Sequence, residues 1–433
     1  MYPARSSTPS LVAEPLRKTL GLWQVSFAGI GVILGAGVYA LIGPAAAHAV
    51  NALWLSFLLA GITAALTAYA YARLGSMQPK NSAEFQYTAL AFGPRAGFMA
   101  GWLMLTADLF AAATVAVGFG TYLTHLVGTP IALNALALLL MVGVVLVTGV
   151  TVSVSLAIVL TAVEAGGLVF VIVVGIPYWT QAEFTVTPGG FSGISSAAAL
   201  IFFAYLGFDE LGNFAEEMRQ PARDLPRALF ISMVATTLIY VLVALSAIAA
   251  VGSRDLSASG APLALVARKV LGPRADLAMS LIALAATANT VLLLLVSAAR
   301  SIYGMAAAGV LPAALAGVSK TAIPLPATLI VLGVTAAMVM AGNLTQIAAL
   351  TDAAVLLSFM LVNLSLPWLA VRGITTSGTA RRSIDVLLPG GALMMCGWLL
   401  LHTGWPSVLA AAALGVVGLL GAWRRSPAAA PRQ

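Results

Sequence analysis

The sequence predicts an all-α polytopic membrane protein with twelve transmembrane helices. Three observations carry that prediction. Of 433 residues, 61% are hydrophobic and 8% charged, with a mean hydropathy of +1.02; a soluble domain carries about 25% charged residues. The apolar residues gather into runs of about 20, the length that crosses a bilayer as a helix. Lys and Arg collect at alternate ends of those runs, as the positive-inside rule requires.

The first run, 20–47, follows a polar segment at 1–19. It is too long for the core of a cleavable signal and is expected to act as the insertion signal itself. The second covers 52–75. The third, 95–125, starts after Gly93-Pro94 and is long enough to tilt. The fourth and fifth, 130–149 and 154–177, are joined by a very short turn near Thr151. The sixth and seventh are 195–215 and 228–252, and the eighth, 277–307, is again long. The remaining four are 325–342, 347–371, 384–402 and 405–423. The expected organisation is a membrane domain over 20–423 between short tails at 1–19 and 424–433, both rich in Pro, Ala, Ser and Arg.

With the N-terminus placed in the cytoplasm, 17 of the 21 Lys and Arg residues fall on the cytoplasmic side. Arg254, Arg268, Lys269 and Arg274 share one longer external loop. The net charge of +7 is therefore topological and gives no reason to invoke nucleic acid. Both tails are expected in the cytoplasm and the chain in the cytoplasmic (inner) membrane, in contact with lipid. The single cysteine, Cys396, excludes an internal disulfide. His48, His125 and His402 are far apart and form no metal motif. No phosphate loop, HExxH or GxSxG occurs, so neither an enzyme nor a cofactor or metal is expected.

Two glycine-broken stretches interrupt the apolar runs: Ile33-Leu34-Gly35-Ala36-Gly37 in the first and Phe203-Ala204-Tyr205-Leu206-Gly207-Phe208 in the sixth. Unwound backbone at membrane depth is tolerated only where it faces protein or a water-filled cavity. Breaks at matching places in two halves mark transporters built from inverted repeats. A half-helix restarting at Ala36 presents free N–H groups and a positive dipole end, which suits a carboxylate. The second break is expected to leave the carbonyls of Phe203, Ala204 and Leu206 without helical partners, which suits an ammonium group. Together they describe a site for an α-amino acid.

At this point the chain resembles the amino acid–polyamine–organocation superfamily of permeases. The resemblance rests on Gly29-Ile30-Gly31-Val32-Ile33-Leu34-Gly35-Ala36-Gly37-Val38-Tyr39 and on Phe202-Phe203-Ala204-Tyr205-Leu206-Gly207-Phe208-Asp209. The segment Glu216-Glu217-Met218-Arg219-Gln220-Pro221-Ala222-Arg223-Asp224-Leu225-Pro226-Arg227 looks like the family's cytoplasmic loop, where it would form a salt-bridge latch. The resemblance covers about 20–330. It implies the LeuT-type fold: a 5+5 inverted repeat with helices one and six broken, helices one to five over about 20–177, helices six to ten over about 195–371, and two extra C-terminal helices over 384–423. The loop after the second run, Pro79-Lys80-Asn81-Ser82-Ala83-Glu84-Phe85-Gln86-Tyr87, departs from the family's glycine-rich pattern and indicates a side branch.

Ionisable side chains at the bilayer centre are costly and need a reason. Glu164 lies mid-way along the fifth run, where many proton-coupled relatives carry lysine. It is expected either to act as a protonatable switch, to bind a cation, or to be a hydrogen-bonded structural group. Asp108 lies mid-way along the third run; facing the pocket, it would favour a substrate with a second positive charge. Asp209 ends the second break and is expected to join it to its surroundings and respond to protons. Phe203 and Phe208 are the aromatic candidates for occlusion, Phe208 being expected to close over the substrate. Thr287, Asn289 and Thr290 offer oxygens to the presumed cation locus.

The expected activity is secondary active transport of amino acids or related amines by alternating access. The amides of Ala36 and Gly37, beside Gly35, would hold the carboxylate, and Ile33 with the carbonyls of Phe203 and Leu206 the amine. Coupling is expected to protons, with sodium left open, as symport. An amine or polyamine carrier, an amino acid exchanger and a non-transporting membrane sensor are the competing readings, and the oligomeric state is not read.

Overall fold

The computed structural model describes residues 20–77, 83–148, 154–212, 218–307, 311–319, 324–375 and 379–424. The described residues are overwhelmingly helical, and their only strand-like feature is a parallel bridge between Leu20 and Met218. The first run forms two helices, α1 (Leu22–Ile33) and α2 (Gly37–Ala49). A 3₁₀ turn at Val50–Ala52 leads into α3 (Leu53–Met77), and a short α4 (Ala83–Phe92) precedes α5 (Pro94–Val127). Next come α6 (Ile131–Thr148), α7 (Val154–Gly175), α8 (Gly190–Ile201) and α9 (Pro221–Val251). The segment before the eighth run folds as α10 (Ser253–Ala258) and α11 (Pro262–Leu271). The rest is α12 (Pro273–Ala307), α13 (Leu325–Ala341), α14 (Leu344–Val371), α15 (Thr379–His402) and α16 (Trp405–Arg424).

Every predicted apolar run holds helix. Among the described residues, eight helical stretches are long and apolar enough to cross a membrane: Gly37–Met77, Pro94–Val127, Val159–Gln181, Gly190–Gly212, Pro221–Val251, Pro273–Ala306, Leu344–Val371 and Arg381–His402. Four apolar helices are shorter: Leu22–Ile33, Ile131–Val147, Leu325–Ala341 and Trp405–Leu420. The boundaries follow local chemistry. Gly93 adopts φ +89° and Pro94 opens α5, whose end at Gly128 has φ +74°; Gly272-Pro273 repeats that punctuation between α11 and α12.

The helix α5 is buried along most of its length and forms the spine of the molecule, packed by α12, α14, α4, α6 and α16. On the other side α9 lies against α3, α1 and α7. The broken segments sit between these groups. His125 at the end of α5 pairs with Asp276 at the start of α12 at 2.9 Å, and Trp102 Nε1 of α5 donates to the Leu414 carbonyl of α16 at 3.0 Å. The external loop read from the sequence is therefore largely helical. Leu263, Ala264, Val266 and Ala267 of α11 are buried against the bundle.

Candidate functional site

The chain unwinds where α1 ends at Ile33 and α2 begins at Gly37. It unwinds again after α8, where Phe202–Tyr205 form a 3₁₀ turn and Leu206 is extended (φ −61°, ψ 148°). Gly207 follows at φ +110°, a conformation that glycine adopts without strain. The two breaks are in direct contact. A Cβ at Gly37 would lie 2.7 Å from Ala204 Cα and 3.1 Å from Phe203 Cδ1; one at Gly207 would lie 2.8 Å from Val32 Cγ1. Only glycine lets the backbones approach this closely.

Polar groups at the breaks find partners across the bundle. The Tyr240 hydroxyl of α9 donates to the Ile33 carbonyl at 2.7 Å and to the Ala204 carbonyl at 2.9 Å. One O–H proton is thus shared between an acceptor of each break. The Ala36 amide donates to Thr290 Oγ1 of α12 at 3.4 Å, near the limit for a hydrogen bond. Gly35 lies beside the same hydroxyl. Asp209 Oδ1 accepts the Gly207 amide at 3.0 Å and so fixes the turn. The Phe203 carbonyl, expected to lack a helical partner, accepts the Leu206 amide at 3.2 Å, because the break opens with a 3₁₀ turn. The Ala204 carbonyl lacks a helical partner and is met by Tyr240 instead.

The two aromatic candidates have different surroundings. Phe208 is fully buried in a cluster with Tyr71 of α3 and Phe359 of α14, at centroid distances of 5.6 and 5.2 Å. The ring against Gly37 is that of Phe203. A residue's place beside a break does not reveal which side its ring takes, because the extended Leu206 and left-handed Gly207 reverse the chain between them.

Three of the carboxyls singled out lie near the breaks. Glu164 of α7 is buried, and its Oε1 has no hydrogen-bond partner. The hydroxyl of Tyr39 on α2 donates to the Glu164 main-chain carbonyl at 2.6 Å, which ties α7 to the restarted half of the first helix. Asn289 Oδ1 of α12 is likewise buried and without a partner. Asp108 is partly accessible, and its carboxyl is within electrostatic reach of Asp209, Glu210 and Glu84. Glu84 of α4 is held by the Tyr71 hydroxyl at 2.8 Å. Because α4 lies outside the membrane-crossing stretches, burial there pushes the Glu84 carboxyl above the ordinary range. Glu216 and Glu217 of the expected latch lie outside the described residues, and Arg223 approaches Asp224 only at 4.0 Å.

The residue that sequence reasoning missed is Tyr240. Its signal was one hydroxyl in the otherwise apolar run Leu238-Ile239-Tyr240-Val241-Leu242. A membrane-embedded helical bundle with two interlocked unwound segments, backbone groups at its centre and unpartnered internal carboxyls has the build of a secondary transporter. The comparisons with known proteins agree. The chain belongs to the amino acid permease family, whose model matches residues 20–373. The branched-chain amino acid permease BcaP of Bacillus subtilis (strain 168) is 25% identical, over 94% of this chain and 92% of its own length. Cationic amino acid transporter 1 of Arabidopsis thaliana is 29% identical, over 90% of this chain and 70% of its own. The methylthioribose transporter of Bacillus subtilis is 28% identical over 54% of this chain and 55% of its own length. Family and relatives alike are transporters.

Proposed function

We propose that this permease carries an α-amino acid across the cytoplasmic membrane by alternating access, with the two breaks as its binding site. The observation that carries the reading is the Tyr240 hydroxyl, a donor set between the Ile33 and Ala204 carbonyls. Those acceptors belong to different breaks and face one point, where a substrate ammonium takes over the hydroxyl's place. The Leu206 carbonyl is a further acceptor on the same turn. The substrate carboxylate sits at the start of α2, where first-turn amides lack intrahelical acceptors and the helix dipole is positive. The Ala36 and Gly37 amides supply the donors there, and the 3.4 Å bond from Ala36 to Thr290 is weak enough to give way.

Since Gly37 touches Ala204, substrate enters as the breaks part and is enclosed as they close, with Phe203 as the ring that moves against it. The rest of the architecture follows the same reading: twelve spans, a LeuT-type 5+5 repeat ending at α14, α15 and α16 outside it, and both tails in the cytoplasm. In that repeat α7 contacts both the first helix and α9, so Glu164 stands where one interface has two arrangements. Protonated, its carboxyl is a neutral group within the packing; ionised, it needs a cation or a donor that the buried Oε1 lacks. Proton binding thereby biases the two arrangements, which is what coupling requires.

The test is uptake by purified protein in proteoliposomes under an imposed pH gradient, screened over amino acids. Wild type accumulates its substrate. Glu164→Gln keeps substrate exchange and loses accumulation. Accumulation by Glu164→Gln under a proton gradient alone removes Glu164 from coupling, with Asp209 next to test. No uptake of any amino acid by folded wild type defeats the reading as a whole.

A further inference from the structure

One buried carboxyl takes no part in this transport scheme. Asp352 of α14 is fully buried, and neither of its carboxylate oxygens has a hydrogen-bond partner. Two contacts fix its position. Trp368 of α14 meets Phe92 at the end of α4, next to the start of α5, at 5.6 Å, and Ser358 Oγ donates to the Ala100 carbonyl of α5 at 3.1 Å. The two helices therefore run antiparallel. Phe359 stands against Phe202, Phe208 and Tyr71, so this face of α14 looks onto the second break. Asp352 lies two turns earlier on the same face, about 10 Å along the axis toward the N-terminal end of α14. With both tails in the cytoplasm, that is the external side.

Titratable groups on the elements packed around α14 include Asp108, Asp385, Cys396, Tyr71, Tyr87 and His402. Asp108 on α5 is close in register, and its carboxyl is within electrostatic reach of Asp209, Glu210 and Glu84. Asp385 on α15 is held by Arg73 and Tyr69 of α3, and Cys396 on α15 contacts Thr67 and Asn363. Tyr71 is bonded to Glu84, and the Tyr87 hydroxyl on α4 has no hydrogen-bond partner among the described residues. Tyr205 beside the second break donates to the Phe57 carbonyl, and His402 lies against the Trp398 carbonyl. Among the described residues no donor meets either oxygen of Asp352.

An ionised carboxylate enclosed without counter-charge or donor is strongly unfavourable. The packing around Asp352 therefore encloses the neutral acid. Wherever the bundle opens on that side, water reaches the carboxyl and it can release its proton to bulk solvent. We propose that Asp352 is a second proton-binding site on the external side of the breaks, which takes a proton from external water as that side closes and returns it as that side opens. This rests on the transport reading for its direction, but not for its existence, since the enclosed carboxyl is a property of the closed molecule.

Two measurements test it. The first is the infrared spectrum of purified Glu164→Gln protein against Glu164→Gln/Asp352→Asn. The expected difference is the loss of one protonated-carboxyl C=O band at neutral pH. Loss of a carboxylate band in its place overturns the proposal, whatever the uptake experiment shows. The second is labelling of the thiol introduced by Ala348→Cys, in a Cys396→Ala background, by a membrane-impermeant maleimide. Ala348 is buried one turn before Asp352. After normalisation to the unfolded protein, labelling is expected to rise at least threefold from pH 5.5 to 8.5, and to become flat in both Asp352→Asn and Asp352→Leu. The apolar variant keeps the test valid if the amide disturbs packing. An unchanged pH profile in either folded variant overturns the proposal.

Discussion

Two regions of this bundle bury carboxyls in opposite ways. Between α3 and α15, Asp385 receives Arg73 Nε and Nη2 at 2.9 Å each and the Tyr69 hydroxyl at 2.7 Å. Around the breaks, Glu164 has an unpartnered oxygen and Asp352 has two. The first arrangement is complete: the bidentate fork offsets the desolvation of the charge and holds α15 against the core. The second is unfinished in this conformation. A buried polar group without a partner is costly, so its retention points to another conformation or protonation state in which it is satisfied. On the proposed reading, the contrast separates carboxyls that hold the fold from those that change state within it.

The comparison can be broken most forcefully at the satisfied end. Asp385→Ala removes the carboxylate that Arg73 and Tyr69 bond, a loss of about 3–5 kcal/mol for a buried pair broken from one side. Thermal unfolding in detergent should show a larger drop than for alanine or phenylalanine substitutions at the breaks, while exchange per folded molecule stays close to wild type. Gly37→Ala tests the contact between the breaks. Its Cβ meets Ala204 backbone at 2.7 Å, and overpacking of this kind costs about 1–3 kcal/mol. The closed state should lose stability and substrate affinity together. Gly37→Val, which forces a larger side chain onto the same backbone, should fail to fold.

Tyr240→Phe sharpens the comparison at the centre. It strips a shared donor from two buried carbonyls, worth about 1–3 kcal/mol in the empty protein. A bound ammonium supplies donors of its own, so the stabilisation by saturating substrate should grow by a similar amount. Thermal unfolding with and without substrate measures both terms; an equal loss in each would show that Tyr240 acts only as a structural tie. The smallest effect is expected from Thr290→Val. A hydrogen bond of 3.4 Å contributes little, about 0.5 kcal/mol or less at the low end of the usual range.

The division between what could and could not be read from the chain follows the same physics. Apolar runs and their limits are legible because the bilayer imposes one length and because Gly-Pro pairs mark the ends. The break positions are legible because Gly35, Gly37 and Gly207 stand in runs that otherwise propagate helix. The partners of the unwound backbone are not, since they come from distant segments: Tyr240 lies 207 positions from Ile33 and Thr290 lies 254 from Ala36. Side-chain direction is also hidden. Nothing in the spacing of Phe203 and Phe208 tells which ring meets Gly37, and adjacent positions on α5 point about 100° apart, so only the fold brings Asp108 within electrostatic reach of Asp209. The helix α11 was readable in principle, with Pro262 at its start and Leu263, Val266 and Ala267 at helical spacing. Asp385 went unremarked because the last runs were read by hydropathy alone.

The most direct test of the central claim is isothermal titration of purified protein with three forms of one substrate: the amino acid found in the uptake screen, its decarboxylated amine and its deaminated acid. The breaks are read as a two-part site, amides for the carboxylate and carbonyls for the ammonium. The account therefore predicts that only the complete amino acid binds and that each truncated form loses at least a hundredfold in affinity, about 2.7 kcal/mol. An amine that binds as tightly as the amino acid would contradict it, and would make this permease a carrier of amines with no use for the amides of Ala36 and Gly37.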